Sequence, residues 1–218
     1  MTLRLEIFAD VICPWCLIGK AQLEQALAEA GQPVFDIQWQ PFLLNPDMPA
    51  EGMDRRAYLE NKFGGRAEAA KVYTEIARAA EAAGIEMDLA AIRRTPSTLD
   101  AHRLIHWAGL EGRQAAVVDA LFRSYFQRGE DIGTHEVLRR VAGDAGMNSE
   151  MVARLLETDA DLAETRGRAA HARARGISGV PTFILAETHV LTGAQPAGFW
   201  RQVIAEIAGS APQGGSIH

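Results

Sequence analysis

Residues 3–40, "LRLEIFADVICPWCLIGKAQLEQALAEAGQPVFDIQWQ", decide the fold. Leu3, Leu5 and Ile7 alternate with Arg4 and Glu6, and Phe8 extends the pattern, as in a strand with one buried face. After Pro14 the apolar residues Leu17, Ile18, Ala21, Leu23, Leu27 and Ala28 recur mostly at helical spacing, until Gly31 and Pro33 stop the run. Phe35, Ile37 and Trp39 then alternate with Asp36, Gln38 and Gln40 as a second strand. Residues 3–42 therefore read as a β-α-β unit, a unit that is usually parallel and right-handed. The chain's only two cysteines, Cys13 and Cys16, fall at its strand-to-helix junction.

With 218 residues, 48% of them hydrophobic, the chain can bury a full core without a covalent staple or a structural metal. It opens with no basic segment leading into an apolar run, and no stretch reaches the ~18 apolar residues of a membrane span. The expectation is a soluble, cytoplasmic protein without membrane attachment. In a reducing compartment, two nearby cysteines point to catalysis or metal binding rather than to a permanent crosslink. A net charge of −6 gives no broad basic face for phosphate backbones, so no nucleic-acid partner is expected.

From about residue 54 to 175 the signals are almost purely helical: alanine-rich segments charged on one face and broken by glycines and caps. Val117, Leu121 and Tyr125 recur four apart, and Val137, Leu138, Val141 and Ala145 form another stripe. Ser97 with Asp100, and Thr158 with Asp161, have the spacing of capping boxes. Strand character returns in "PTFILAETHVLTG" as a hairpin about Ala186 and Glu187, followed by a closing helix from Pro196 to Ala208. Strands at both ends with helices between them predict one α/β core carrying an all-helical insertion. Its expected division is a discontinuous core of 1–50 and 158–208, an insertion over 51–157 and a flexible tail over 209–218.

Proline favours the first helical position, so Pro14 there places Cys13 at the N-cap. The free N–H groups of Trp15 and Cys16 and the helix dipole then favour a thiolate at Cys13. Cys16, on the same face one turn inside, can attack a mixed disulfide formed at Cys13. The competing reading is half of a zinc site, with His102 and His106 as further ligands at i, i+4 spacing. A regular helix start, no second cysteine pair and a neighbouring β-α-β pattern favour redox chemistry without a metal.

The segment "FADVICPWCLIGK" resembles the active-site segment of the DsbA-like thioredoxin-fold oxidoreductases, specifically their cytoplasmic FrnE-type branch. "STLDAHRLIHWA" resembles that family's inserted-helix segment and "GISGVPTFIL" its proline loop, so the likeness spans about 3–208. The resemblance implies a thioredoxin-like fold interrupted by a helical insertion, and a thiol-disulfide oxidoreductase that reduces, oxidises or isomerises disulfides. It makes Cys13 the nucleophile and Cys16 the resolving cysteine. It also implies that Pro181 is cis and packs beside the pair, with Val180 presenting its backbone to an extended substrate. Pro14, Trp15, Val180, Pro181 and His102 are then the candidate substrate-binding residues.

Trp15 stands where the periplasmic oxidants of the family carry a histidine, so the pair is expected to be less oxidising than theirs. Trp15 itself either contacts substrate or shields Cys16 by packing. Asp10 either raises the thiol pKa or caps a turn, and His102 either reaches the substrate groove or bonds within the insertion. Trp39 and Phe183 read as core, and Arg93 and Arg94 as a solvated positive spot. The expected partner is a disulfide-containing protein or a small thiol, with no bound cofactor. Glutathione remains open as a co-substrate, and the protein is either a monomer or a homodimer. Two further readings stand beside this one: a glutathione-dependent isomerase or transferase related to the kappa class, whose members carry serine in place of Cys13, and a chaperone-like polypeptide-binding module.

Overall fold

A computed structural model describes residues 2–210. It bears out the first unit: β1 (Leu3–Ala9) leads into α1 (Pro14–Ala30), which ends on Gly31 in the left-handed conformation, and β2 (Phe35–Pro41) returns parallel to β1. Here Leu3 pairs with Phe35 and Ala9 with Pro41. The next segment contains β3 (Met53–Asp54), α2 (Arg55–Phe63), α3 (Arg66–Ala82), β4 (Arg94–Thr95), α4 (Leu99–Leu110) and α5 (Gln114–Phe122). A π-helical turn (Arg123–Gln127) follows, then α6 (His135–Asp144), α7 (Ser149–Leu156) and α8 (Leu162–Ala174). The hairpin β5 (Thr182–Leu185) and β6 (His189–Thr192) and the helix α9 (Ala197–Ser210) close the described chain.

The hairpin joins the first strands in a single sheet of order β2-β1-β5-β6, with β5 antiparallel to β1. Strand alternation divides the apolar residues between its two faces. Leu5, Ile7, Phe35, Trp39 and Phe183 belong to the main core with Leu23 of α1 and Trp200 of α9. Phe8 and Ile184 point the other way and pack with Ala172 of α8. Trp200 is sealed by edge-on contacts to Phe183 at 4.9 Å and Phe35 at 6.2 Å. This is a thioredoxin-like sheet with the helical segment set between β2 and β5.

Two polar clamps fix that segment to the sheet, and a third closes it internally. The Gln114 side chain accepts from the Trp39 amide at 2.8 Å and donates to its carbonyl at 3.2 Å, behaving as an added strand residue. Arg168 of α8 bridges Gln40 and His106. Buried Arg103 donates to the carbonyls of Leu155, Thr158 and Ala160 and to Asp100, closing the turn between α7 and α8.

The structure departs from the sequence reading in several places. The segment read as purely helical also holds the antiparallel ribbon β3–β4, pairing Met53 with Thr95 and Asp54 with Arg94. Gly52 permits this ribbon: its φ is +69°, and a Cβ there would lie 2.6 Å from the Thr95 carbonyl oxygen. Neither capping box forms where the spacing placed it. The helix expected from Ser97 begins one residue later, behind Thr98, while Asp100 pairs with Arg103 and His135. Thr158 instead closes the turn after α7, and Asp161 takes the N-cap of α8 with its carboxylate accepting from Trp107 at 2.7 Å. Helix α9 continues to Ser210, two residues past its expected end, and the tail expected beyond it lies outside the described residues from 211 on.

Candidate active site

The loop after β1 brings Cys13 to the head of α1. The Cys13 amide donates to the Asp10 carbonyl at 2.9 Å, and the Cys13 carbonyl accepts from the Cys16 amide at 3.1 Å. Cys13 is thus the N-cap, in extended conformation, with Pro14 opening the helix. Both cysteines are free thiols, Cys13 4% and Cys16 1% exposed. Pro14 and Trp15 are half-buried, and Trp15 packs against the main core.

The two thiols are driven in opposite directions. Cys13 is held below the ordinary 9.0, chiefly by the Cys16 thiol donating to its sulfur. Burial opposes this, and the amides of Cys16 and Trp15 assist by their dipoles without forming a regular cap hydrogen bond. Cys16 is pushed well above 9.0, first by burial and then by the same thiol contact, in which it is the donor. Cys13 therefore loses its proton more readily than an ordinary thiol and Cys16 less readily, an asymmetry that suits disulfide exchange.

The loop before β5 faces the pair. The Val180–Pro181 peptide bond is cis, and the Cys13 Sγ–H points at the Val180 carbonyl oxygen at 3.7 Å. The Pro181 carbonyl accepts from Gly193 at 2.8 Å, which ties this loop to the end of β6. Gly19, unremarked in the sequence reading, lets the loop approach: a Cβ there would lie 3.1 Å from Pro181 Cγ. Its signal was available, since glycine inside a helix costs about 1 kcal/mol relative to alanine and so calls for a packing reason.

Asp10 serves both of the roles weighed for it. Its carbonyl closes the turn to Cys13, while its fully buried carboxylate accepts from Leu44 at 2.8 Å and Ile12 at 3.5 Å. Its charge also raises both thiols. His102 is not where a substrate contact would put it: it is 4% exposed, and its Nε2, without a hydrogen-bond partner among the described residues, lies 3.7 Å from Asp10 Oδ1. The site therefore gathers Cys13, Pro14, Trp15, Cys16, Val180 and Pro181, with His102 reaching it only through Asp10.

The zinc reading required His102 and His106 to converge with the sulfurs. Among the described residues no group of three His, Cys, Asp or Glu ligand atoms within 4.8 Å of one another includes either cysteine. Such a group does form elsewhere, from His106, Asp161 and Glu164. Arg168 donates to His106 Nδ1 at 2.8 Å, which assigns the proton of the neutral ring to Nε2 and works against metal ligation.

Known proteins share the fold that carries this site. A probable DsbA oxidoreductase from Streptomyces coelicolor is 30% identical, with a TM-score of 0.83 over 95% of this chain and 91% of that one. The Bacillus subtilis protein YwbO is 27% identical over 207 residues, 94% of this chain and 98% of that protein. The cytosolic disulfide reductase DsbM from Pseudomonas aeruginosa, solved with GSH, shares the fold at 21% identity and a TM-score of 0.67, over 94% of this chain and 98% of that one. The DSBA-like thioredoxin domain matches residues 4–205, and the chain belongs to that family.

Proposed function

We propose that the protein is a cytoplasmic thiol-disulfide oxidoreductase that reduces disulfides of proteins or small thiol compounds through Cys13 and Cys16. The Cys13 thiolate attacks one sulfur of the substrate disulfide, forming a mixed disulfide and expelling the other sulfur as a thiolate, which takes up a proton. Cys16 then gives up its proton and attacks the Cys13 sulfur, releasing the second substrate thiol and leaving a Cys13–Cys16 disulfide. The substrate disulfide gains the two electrons that the dithiol loses. Two glutathione molecules, oxidised to their disulfide, return the pair to the dithiol; the glutathione carried by the similar DsbM fold supports this choice of reductant.

The observation that carries the reading is the opposite displacement of the two thiols directly beneath the Val180–Pro181 loop. When Cys13 ionises, its sulfur no longer donates to the Val180 carbonyl, which is then free to accept from an extended substrate backbone. Half-buried Trp15, between the two cysteines at the head of α1, offers an apolar contact for substrate.

The test is mixed-disulfide trapping. Cys16→Ser incubated with glutathione disulfide or reduced-and-reoxidised insulin should accumulate an adduct on Cys13, and Cys13→Ser should accumulate none. Full turnover of a small substrate by Cys16→Ser would overturn the dithiol mechanism and favour a glutathione-dependent isomerase or transferase.

A further inference from the structure

A cavity of about 490 Å³ opens between α2, α3 and the segment that leads into β4. That is the size of a small-molecule site. Its lining carries four arginines, Arg55, Arg56, Arg66 and Arg93, against two carboxylates, Asp54 and Glu60. On a chain of net charge −6 this is a local reversal of sign. Both carboxylates are already engaged: Asp54 accepts from the Ala57 amide at 3.0 Å to cap α2, and Glu60 pairs with Arg56 at 2.9 Å.

Arg55 is the unusual member. The residue is 8% exposed, and among the described residues no carboxylate pairs with it. Buried charges are ordinarily paired, because desolvation of an ion is costly. Here the charge is met only by hydroxyls and ring faces. Nε donates to Tyr73 at 2.9 Å, and Nη1 donates to Thr95 at 3.1 Å and to Tyr125 at 3.2 Å. The rings of Tyr58, Tyr73 and Tyr125 stand 5.8–5.9 Å from its centre. Burial pushes the Tyr125 phenol up, so this partner stays neutral. Nη2 makes no hydrogen bond among the described residues and is not sealed from solvent.

The ribbon β3–β4 brings Arg93 alongside, and Arg66 at the start of α3 lines the same cavity. The Arg55 amide donates to the Arg93 carbonyl at 2.9 Å, which fixes Arg93 beside the head of α2. Arg93 and Arg66 are exposed and have no ion-pair partner among the described residues. The lining also includes the apolar Leu59, Ala69, Leu89 and Ile92.

We propose that this cavity binds a small organic anion, with a carboxylate or phosphate head among Arg55, Arg66 and Arg93 and an apolar body against Leu59, Leu89 and Ile92. The site is separate from Cys13 and Cys16 and does not depend on their chemistry. Paired guanidinium–anion contacts of this kind are strong and geometrically selective.

Isothermal titration calorimetry on the full chain, in low-salt buffer free of phosphate, tests this with four probes: phenyl phosphate, phenylacetate, inorganic phosphate and benzyl alcohol. At least one aromatic anion should bind saturably at one per chain, and whichever of the two is tighter identifies the head group. Arg66→Ser/Arg93→Ser, two exposed positions whose replacement leaves the core intact, should weaken that binding about tenfold or more, about 1.4 kcal/mol. Added salt should weaken it as well. The proposal is overturned if neither aromatic anion binds below about 10 mM, if the double variant binds as the wild type does, or if benzyl alcohol or inorganic phosphate alone binds equally well. Arg55→Met is a second variant; where it does not fold, the exposed pair carries the test.

Discussion

Replacing Gly19 by alanine sets two opposing effects against each other, and the structure decides which wins. Inside α1 the change should stabilise the helix by about 1 kcal/mol. The new methyl, however, would meet Pro181 Cγ at 3.1 Å, Ala194 Cα at 3.3 Å and Phe183 Cζ at 3.4 Å. None of these neighbours can readily move. Pro181 is tied to Gly193 by a 2.8 Å hydrogen bond, Ala194 presents backbone, and Phe183 is fully buried against Trp200. Overpacking of this kind costs about 2 kcal/mol, so the net effect is a loss of about 1 kcal/mol. For a chain of this size, that lowers Tm by about 2–4 °C. The same displacement carries the Val180–Pro181 loop away from Cys13, so disulfide reduction should slow while the spectrum of the folded protein is unchanged. Thermal denaturation and a disulfide-reduction assay on one preparation measure both effects. A Tm that rises by about 2–4 °C with turnover intact would refute the reasoning, because the helix gain alone would then account for the variant.

Other perturbations reach the remaining parts of the account. Trp15→His adds a cationic donor beside the Cys13 thiolate and should make the pair more oxidising, by about 30 mV for each tenfold change in its equilibrium with glutathione; an unchanged or more reducing potential would count against thiolate control by this position. The stability of the reduced protein should depend on pH through Cys13. Since its folded pKa is below 9.0, its contribution is lost as pH falls through that folded value and is complete above 9.0. The stability difference between wild type and Cys13→Ser in urea should therefore grow as pH rises from about 6 toward 9.0, and a flat difference would contradict the lowered thiol. Arg103→Lys keeps the charge but cannot serve three carbonyls and Asp100 together; a loss of about 2–4 kcal/mol in urea denaturation is expected, and a loss under about 1 kcal/mol would show that the clamp is dispensable.

Much of this fold was legible because its deciding stretch obeys simple periods. Alternation in 3–8 and 35–40 and helical spacing from Pro14 to Ala28 needed no tertiary information, and Pro14 alone placed Cys13 at the helix head. The cis geometry of Pro181 came from the family resemblance, as no local pattern distinguishes it. What stayed hidden depends on distant partners. Asp100 and Asp161 have capping spacing, yet their carboxylates are drawn off by Arg103 and His135 and by Trp107, and neither of these pairings leaves a local trace. The two-residue strands of the β3–β4 ribbon are too short to show a period. Arg93, read as part of a solvated spot, is exposed as expected, but only the folded ribbon reveals Arg55 behind it. The opposing thiol shifts were half visible: the helix head favours a Cys13 thiolate from sequence, whereas the main influence on Cys13, the donating Cys16 thiol, depends on how deeply Cys16 is buried.

The central claim is that Cys13 is the prepared nucleophile and Cys16 its protected partner. The most direct measurement is the alkylation rate of each cysteine in the fully reduced wild-type protein as a function of pH, read by peptide mapping. Cys13 should react with a midpoint below 9.0 while Cys16 stays unmodified throughout that range. A Cys13 midpoint at or above 9.0, or alkylation of Cys16 first, would contradict the account.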